Sequence, residues 1–339
     1  MDRATSPKPY VEIDRKLLSR LMGLDDYFAA AEAAFLAHAH GRTRMPLPLH
    51  IEADAGGFHA KGAFVALDGR AWVAVKVNSN FPGNPARGLP TIQGAVLLYD
   101  ADDGSLLAIL DSMEITSKRT AAASALAARH LARENAQTIA ILGCGEQGRA
   151  QLAAIARIRP LRRAFAWDAR AGTAEGYALA MSRALGLEVT AMPTLDEATR
   201  AADIIVTATT AQEAFLGPQH VRPGTFVAAV GADNPHKSEL HPDLVATSMV
   251  VADSLEQACL MGDLHHAVAA GKARRESVHA ELADVVAGRK PGRTSDTEIT
   301  VFDSTGVAIQ DVAAAAVAYG RYVTAGSLFL EPEERGNQC

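Results

Sequence analysis

The sequence has few cysteines, few aromatic residues, no cluster of basic residues and no long apolar run. Its three cysteines are odd in number and far apart, so they indicate neither a disulfide framework nor a four-ligand zinc site. With 33 basic against 39 acidic residues, the formal net charge of -6 offers no attractive surface to nucleic acid. Apolar runs are too short to cross a membrane. We therefore expect a protein of the reducing cytoplasm that binds neither nucleic acid nor a membrane.

The chain is long enough and apolar enough to form two globular domains. It has 339 residues, of which 48% are hydrophobic and 21% are charged, as in soluble folded proteins. The start, Met1 to Tyr10, is polar and lacks the apolar core of a signal peptide. The tail, Glu331 to Cys339, is also polar and is expected to be loose.

The first part of the chain combines a helix with strand-like segments. Asp25 to His40 places apolar residues at helical spacing and is followed by Gly41. Four short segments come after it, separated by turn signals such as Asp-Gly, and they predict an antiparallel sheet. These segments are Gly57–Leu67, Ala71–Asn78, Gly94–Tyr99 and Leu106–Asp111.

The character of the sequence changes at an alanine-rich helix, which is predicted for Thr116 to Glu134. Beyond it, short apolar strands alternate with helices, a rhythm that predicts an α/β fold with a doubly wound parallel sheet of the Rossmann type. A final helix is predicted from Gly306 to Gly320. The predicted strands are Thr138–Leu142, Ala164–Trp167, Asp203–Ala208, Thr225–Val230, Met249–Ala252 and Thr300–Phe302.

A glycine-rich turn follows the first of these strands and opens a helix, the setting in which such a turn binds a dinucleotide. Asp168 ends the next strand, where a carboxylate accepts hydrogen bonds from the adenosine ribose and repels a 2′-phosphate. Arg170 could favour NADP, but Asp168 favours NAD. The alternative is a glycine turn without a ligand. The turn residues assigned to the cofactor are Gly143, Gly145, Glu146, Gln147 and Gly148.

Two further strand ends carry polar residues at the edge of the sheet where cofactors bind. Thr207 and Thr209 follow one strand, and Val230 and Asp233 lie at the end of the next. The threonine hydroxyls either line the nucleotide or bond to their own backbone in a turn. Asp233 is a candidate for the chemistry, and its alternative is an Asx turn before Asn234.

Five stretches together are specific to one family. They are Asn84–Thr91 (NPARGLPT), Arg119–Ala125 (RTAAASA), Gly143–Gly148 (GCGEQG), Gly231–Leu240 (GADNPHKSEL) and Phe302–Asp311 (FDSTGVAIQD). On these stretches the sequence resembles the ornithine cyclodeaminase/mu-crystallin family over nearly its whole length. The resemblance implies a homodimer, in which each chain has a Rossmann domain, a second α+β domain built from both chain ends, and an active site between them.

The resemblance also implies domain boundaries and site residues. It gives residues 1–120 with 308–339 to substrate binding and dimerisation, and residues 121–307 to NAD binding. Carried over by position, it makes Lys76 and Arg119 ligands of the substrate carboxylate, because a guanidinium can hold a carboxylate bidentately. Asp233 becomes the catalytic carboxylate, and Thr91 and Ser304 join the cofactor site. Without the family, Arg119 and Lys76 would be interpreted as solvated surface residues.

Two positions depart from the family. Many members carry a carboxylate-binding arginine shortly after a proline, where this chain reads Arg44–His50 (RMPLPLH). Either Arg44 replaces that arginine from another angle or the carboxylate is held differently. Cyclodeaminases tend to carry an acid on the following strand, where this chain has Phe58–Lys61 (FHAK). Lys61, which we assign to substrate binding, would repel the distal ammonium of a diamine and favours an acidic or neutral substrate.

The resemblance implies an NAD(H)-dependent oxidoreductase that acts on the C–N bond of a small L-amino acid or its imine, as an amino-acid dehydrogenase or imine reductase. A cyclodeaminase that converts ornithine to proline and ammonia is the alternative. A crystallin-like ligand-binding protein without turnover is the alternative from another class. No metal is expected, because the histidine pairs His38/His40 and His265/His266 lack converging ligands.

Overall fold

The computed structural model describes residues 10–329, so the predictions for the two polar termini lie outside the described residues. The chain divides into two compact units. Among the described residues, the first unit consists of 10–119 and 308–329, and the second of 120–307. No helix within this described part is long and apolar enough to span a membrane.

The first unit contains a seven-stranded sheet in which the longest strands pair antiparallel, as predicted. The strand order is β1-β7-β6-β5-β4-β2, with β3 paired to β4 and only the short β1 parallel to its neighbour. The strands are β1 (Val11–Ile13), β2 (Thr43–Arg44), β3 (Leu49–Ala53), β4 (Gly56–Leu67), β5 (Arg70–Asn80), β6 (Ile92–Asp100) and β7 (Leu106–Asp111).

Helices cover one face of this sheet. The helices of the unit are α1 (Arg15–Leu21), α2 (Leu24–Ala39) and the C-terminal α11 (Ala308–Phe329), and α11 packs on α2, β4 and β5. Because side chains alternate between faces along a strand, Ala74, Val96 and Leu98 are buried beneath α11. On the opposite face, apolar side chains of β3, β4 and β5 remain exposed.

The second unit contains the predicted Rossmann-type sheet, which is confirmed. Its eight strands are all parallel, in the order β10-β9-β8-β11-β12-β15-β13-β14. They are β8 (Thr138–Leu142), β9 (Arg163–Trp167), β10 (Glu188–Ala191), β11 (Ile204–Thr207), β12 (Phe226–Ala229), β13 (Met249–Ala252), β14 (Ala280–Glu281) and β15 (Thr300–Asp303). The two edge strands β10 and β14 were not predicted, because both are short and carry charged residues.

Helices connect these strands, and one helix joins the two units. α3 (Ser112–Leu131) begins in the first unit and ends in the second. It starts four residues before the predicted position, directly after β7. α11 continues past Gly320, since one glycine weakens a helix but does not end it. The remaining helices are α4 (Glu146–Ile158), α5 (Thr173–Leu185), α6 (Leu195–Thr199), α7 (Pro242–Thr247), α8 (Leu255–Ala258), α9 (Asp263–Ala269) and α10 (Leu282–Val286).

Candidate active site

The glycine turn after β8 requires its glycines for close backbone approach. Gly143 has a φ of 104°, and a Cβ there would lie 2.5 Å from the Ala208 carbonyl oxygen. A Cβ on Gly148 would lie 2.2 Å from the Gly143 carbonyl oxygen. Gly145, in contrast, faces open space, since a Cβ on it would meet no atom within 4 Å. The turn is therefore packed on its inner side and open where a ligand could approach.

The N-terminus of α4 presents backbone N–H groups next to this open space. The helix starts at Glu146 and runs for 13 residues, and no side chain at Gly145 caps it. Uncapped N–H groups and the positive end of the helix dipole attract a phosphate. Gln147 Oε1 is buried and has no hydrogen-bond partner in the described part of the chain. The N–H groups and the helix dipole fit the pyrophosphate of a dinucleotide, whereas Gln147 Oε1 is itself an acceptor and adds no donor there.

Asp168, directly after β9, holds the glycine turn in place. Its Oδ2 accepts a hydrogen bond from the Cys144 backbone N–H at 2.9 Å, and its Oδ1 accepts one from the Arg170 N–H at 2.9 Å. Burial raises the pKa of the Cys144 thiol to about 12, so this cysteine is a spacer in the turn and not a nucleophile. Asp168 thus orients the turn and lies where a ribose would be recognised.

Glu239 organises the ends of β11 and β12, a role that the sequence did not indicate. Its fully buried carboxylate accepts hydrogen bonds from Thr207 Oγ1 at 2.6 Å, from the Thr209 N–H and Oγ1 at 2.7 Å each, and from the Gly231 N–H at 2.8 Å. Burial raises the pKa of Glu239 despite these bonds. The only signal for this residue was its position in the GADNPHKSEL stretch, since Glu239 fits no local pattern.

Two predicted cofactor contacts do not fit this arrangement. Thr207 is fully buried and its hydroxyl donates to Glu239, so the hydroxyl does not line a nucleotide. Ser304, after β15, is also buried, and its hydroxyl lies 3.5 Å from Asp253 Oδ2. Val230 is nearly buried, and its N–H donates to the Thr207 carbonyl. The Thr207 and Ser304 hydroxyls thus point inward, to the buried carboxylates of Glu239 and Asp253, as buried polar groups usually find a partner inside the protein.

Two further buried acids, Asp263 at the start of α9 and Asp303 at the end of β15, interact electrostatically. Asp263 Oδ1 accepts from the N–H groups of Glu239 and Leu240, and Asp303 Oδ2 accepts from the Leu264 N–H. Burial and the charge of Glu239 raise the pKa of Asp263 to about 7, and burial and Asp263 raise that of Asp303 well above its usual value. Within residues 10–329, Asp263 Oδ2 and Asp303 Oδ1 have no hydrogen-bond partner. We infer that this pair retains a proton at neutral pH.

Asp233 differs from the buried acids, because its side chain is 54% exposed. It lies four residues beyond β12, at the carboxyl edge of the parallel sheet. Its Oδ1 pairs with Lys237 Nζ at 2.7 Å. The Asn234 side chain, in turn, accepts a hydrogen bond from the His236 N–H, so the turn is capped by Asn234. The carboxylate of Asp233 is therefore accessible to a substrate.

In the first unit, Lys76 and Arg119 lie together around a third charged residue, Asp311 of α11. Lys76 Nζ lies 2.9 Å from Asp311 Oδ2, and Arg119 Nε lies 2.9 Å from Asp311 Oδ1. Arg119 Nη1 also donates to Gln310 Oε1 at 2.8 Å. All three charged side chains are at most 5% exposed, so neither Lys76 nor Arg119 is a solvated surface residue.

This buried group contains two basic side chains, Lys76 and Arg119, but only one acid, Asp311. Burial and Arg119 lower the pKa of Lys76 to about 7, whereas Arg119 and Lys76 hold the pKa of Asp311 below its usual value although burial opposes this. The Asp311 carboxylate is therefore kept ionised, and the pKa of Lys76 lies near neutrality. Arg119 Nη2 makes no hydrogen bond in the described part of the chain. A carboxylate would find a donor there and would raise the pKa of Lys76 again.

The sequence missed Asp311, although it ends the FDSTGVAIQD stretch. Two adjacent polar residues at the start of an otherwise apolar helix were the available signal. Lys61, on β4, is the direct cross-strand neighbour of Lys76. Thr91 lies just before β6, where its carbonyl accepts a hydrogen bond from the Phe81 N–H. The first unit thus brings Lys61, Lys76 and Arg119 together, and the second unit holds the predicted cofactor residues except Thr91.

One family model, that of the ornithine cyclodeaminase/mu-crystallin family, matches residues 14–326 of the chain. The chain belongs to the ornithine cyclodeaminase/mu-crystallin family. The resemblance seen in the sequence is confirmed.

Three solved structures illustrate what this family member is similar to. An archaeal alanine dehydrogenase dimer with bound NAD has 35% identity and a TM-score of 0.88 over 94% of this chain and 97% of that chain. The Delta(1)-pyrroline-2-carboxylate reductase of Thermococcus litoralis with NADH and L-proline has 33% identity and a TM-score of 0.88, over 93% and 98%. The iminosuccinate reductase of Paracoccus denitrificans with NAD+ has 32% identity and a TM-score of 0.86, over 93% and 97%.

The raised pKa of Asp263 predicts how stability depends on pH. A carboxyl whose pKa is higher in the folded than in the unfolded state stabilises the fold in acid, and this stabilisation is lost as the pH rises through about 7. Asp263→Asn keeps an acceptor for the two N–H groups and supplies an N–H in place of the proton. We expect its melting temperature to fall less than that of the native chain between about pH 5 and pH 8.5, measured by circular dichroism.

The control is Asp243→Asn, which removes an exposed acid paired with Lys272 and should follow the native pH dependence. An Asp263→Asn variant with the same pH dependence as the native chain would show that Asp263 is ionised throughout.

Proposed function

We propose that this chain is an NAD(H)-dependent oxidoreductase that acts on the C–N bond of a small L-amino acid or its imine, as an amino-acid dehydrogenase or imine reductase. The observation that carries the proposal is the buried group of Lys76, Arg119 and Asp311 in a chain that also holds an open dinucleotide-type turn. A carboxylate-binding group and a nucleotide-binding turn are what this chemistry requires of a protein.

NAD is the cofactor that the second unit fits best. The N–H groups at the start of α4 and the open side of Gly145 fit the pyrophosphate. Asp168, fixed by Cys144 and Arg170, would accept hydrogen bonds from the ribose and repel a 2′-phosphate. The three solved relatives contain NAD or NADH, which supports the same choice. Bound NAD(H) supplies the hydride acceptor or donor.

In this proposal, residues of the first unit bind and orient the substrate. Arg119 Nη2 and Lys76 Nζ would bind the α-carboxylate, and two charge-assisted hydrogen bonds fix both its position and its direction. Asp311 contributes indirectly, because it holds both cations in place. Holding one reactant in a fixed geometry removes most of the entropy cost of the reaction step.

Proton transfer falls to Asp233 in this proposal. As an exposed carboxylate at the sheet edge, it can accept a proton from the substrate amine during oxidation or return it during imine reduction. Lys237 Nζ, 2.7 Å from Asp233 Oδ1, helps to fix the position of the carboxylate. Hydrolysis of the resulting imine by water would give a 2-oxo acid and ammonia.

A cyclodeaminase is the second candidate, since the family name includes this activity. Lys61, directly across from Lys76, counts against it, because a diamine would place its distal ammonium near another cation. A ligand-binding protein without turnover is the third candidate. Such a protein would have no need for an accessible acid such as Asp233 in addition to the carboxylate-binding group.

A homodimer is part of the proposal. The face of the first-unit sheet opposite α11 exposes Leu49, Ile51, Phe58 and Val77, each at least 37% accessible. These residues are direct neighbours or lie on adjacent positions of β3, β4 and β5, so they form one open apolar face. An apolar face of this kind is usually covered by another chain. The archaeal alanine dehydrogenase relative is itself described as a dimer.

The Asp233→Asn variant tests the assigned base. It keeps the shape of the side chain and removes its basicity, so turnover of the true substrate should fall by about 10²–10⁴-fold. NADH affinity, measured by fluorescence titration, should stay unchanged. Asp243→Asn is the matched control, as an exposed acid that is also paired with a lysine. Near-normal turnover by Asp233→Asn would place the proton acceptor elsewhere.

The Asp168→Ala variant tests the cofactor assignment. Losing hydrogen bonds to a charged acceptor costs about 1.5–3 kcal/mol, so NAD should bind roughly ten- to a hundredfold more weakly by calorimetry. Discrimination against NADP should also decrease, because the repelling charge is gone. Arg170→Ala, which removes an exposed partner of Asp168 but leaves its charge, should change NAD affinity by no more than about twofold. A native chain that prefers NADP would overturn the assignment.

The open apolar face predicts the oligomeric state. Light scattering at micromolar concentration should give twice the 35.7 kDa mass of one chain. Ile51→Asp places a charge on this face and should shift the equilibrium towards the monomer. Leu179→Asp, an equally exposed leucine on α5 of the second unit, should leave the dimer intact. A monomeric native chain would refute the proposal.

A further inference from the structure

Strand pairing aligns four basic side chains on one face of the first-unit sheet. Direct cross-strand partners point to the same face, and Lys61 on β4 pairs with Lys76 on β5. Two residues before Lys61, and therefore on the same face, His59 pairs with His50 of β3. The face thus carries a row with Lys61 and Lys76 and a neighbouring row with His50 and His59.

The two histidines are in direct contact. Their Nδ1 atoms lie 3.2 Å apart and their ring centroids 4.2 Å apart. Two ring nitrogens at this distance share one hydrogen, so one ring donates through Nδ1 and the other accepts. The accepting ring must then carry its proton on Nε2, and protonation of the donating ring adds a second Nε2–H. One added proton thus gives the pair two Nε2–H donors and a positive charge, which suits a carboxylate.

The spacing of the rows suits a ligand with two carboxylates. Rows on one face are two residues apart along the strand, which is about 7 Å. The carboxyl carbons of a four-carbon diacid are joined by three bonds of about 1.5 Å each, and a hydrogen bond of about 2.8 Å at each end adds to this reach. A short diacid can therefore contact the lysine row and the histidine row together.

Charge on this face favours an anion. Lys61 and Arg119 both add positive potential at Lys76. Asp311 pairs with Lys76 and Arg119, and Glu52, two residues after His50 on the exposed strand β3, is an acid on the same face. His50 is exposed, and His59 and Lys61 are half-buried, so a ligand can reach them.

We propose that His50, His59 and Lys61 form a subsite for a second substrate carboxylate, so that the preferred substrates are four- or five-carbon dicarboxylic L-amino acids or their imines. This inference rests on the proposed function, because it takes Lys76 and Arg119 as the ligands of the α-carboxylate. The two stretches that depart from the family pattern, Arg44–His50 and Phe58–Lys61, both contribute residues to this subsite.

The test compares two probes of equal length that cannot react. Succinate and butyrate both have four carbons, and only succinate has a second carboxylate. Calorimetry with the NADH-loaded protein should show succinate binding at least about tenfold more tightly than butyrate, since a charge-assisted hydrogen bond contributes about 1.5–3 kcal/mol. Equal affinities for the two acids would overturn the inference.

Variants locate the subsite. Lys61→Met keeps the length of the side chain and removes its charge, and the double variant His50→Gln with His59→Gln keeps polar side chains and removes the imidazoles. Both should reduce the succinate-to-butyrate affinity ratio by about tenfold, while NADH affinity stays unchanged and reports an intact fold. His40→Gln, an exposed histidine at the end of α2 in the same unit, is the control and should keep the native ratio. An unchanged ratio in both test variants would contradict the assignment.

Turnover separates failure of this inference from failure of the proposed function. We expect a higher kcat/KM for L-aspartate or L-glutamate than for L-alanine with NAD, and in the Lys61→Met variant the difference should shrink through KM. Turnover of L-alanine without a preference for the diacids would leave the proposed function standing and refute the subsite. If no L-amino acid, and no 2-oxo acid with ammonia, is converted, the proposed function itself is refuted.

Discussion

The carboxylate of Asp311 is the constraint on which the first unit depends. It joins β5 through Lys76 and α3 through Arg119 to the C-terminal helix α11. Removing charged groups from water is costly, and a buried ion pair often contributes little to stability in return. We interpret the group as functional: Asp311 pairs with Arg119, and the pKa of Lys76, about 7, would rise when an anion binds beside it.

In the second unit, buried acids and not buried cations fix the positions of the surrounding groups. Glu239 gathers the N–H and hydroxyl groups that end β11 and β12, and Asp263 in turn holds the backbone of Glu239. Burial raises the pKa values of both acids, and the charge of Glu239 raises that of Asp263 further. The strand ends at the cofactor edge are thus fixed from behind by buried acids, and the exposed edge is left for Asp233 and the glycine turn.

In both units, the residues that fix positions differ from the residues proposed to contact the substrate. Residues with buried, paired charges set positions, as Asp311 and Glu239 do. Asp233, whose carboxylate is exposed, and Arg119, whose Nη2 makes no hydrogen bond in the described part of the chain, are proposed to contact the substrate. His50 and His59 of the proposed subsite combine both properties. Their mutual contact orients the two rings, and the exposed strand β3 gives a ligand access to them. Conflicts with ordinary packing rules are expected at sites of this kind.

The sequence by itself determined what depends on local pattern. The glycine spacing, the short apolar strands and the alanine-rich helix identified the Rossmann-type sheet, and five stretches identified the family. Most strands and helices lie where periodicity placed them, whereas the charged edge strands β10 and β14 were missed. Lys76, Arg119 and Asp168 were named from the sequence; in the structure Lys76 and Arg119 pair with Asp311, and Asp168 accepts from the Cys144 N–H.

Only the tertiary structure decided which polar groups meet. Asp311 is 235 residues away from Lys76, and Glu239 is 32 residues away from Thr207, so no local pattern could pair them. The same applies to the inward turn of the Thr207 and Ser304 hydroxyls and to the contact between His50 and His59, which depends on the register of β3 and β4. A hydrogen bond or ion pair is set by distance and burial, and both arise from long-range strand pairing and helix packing.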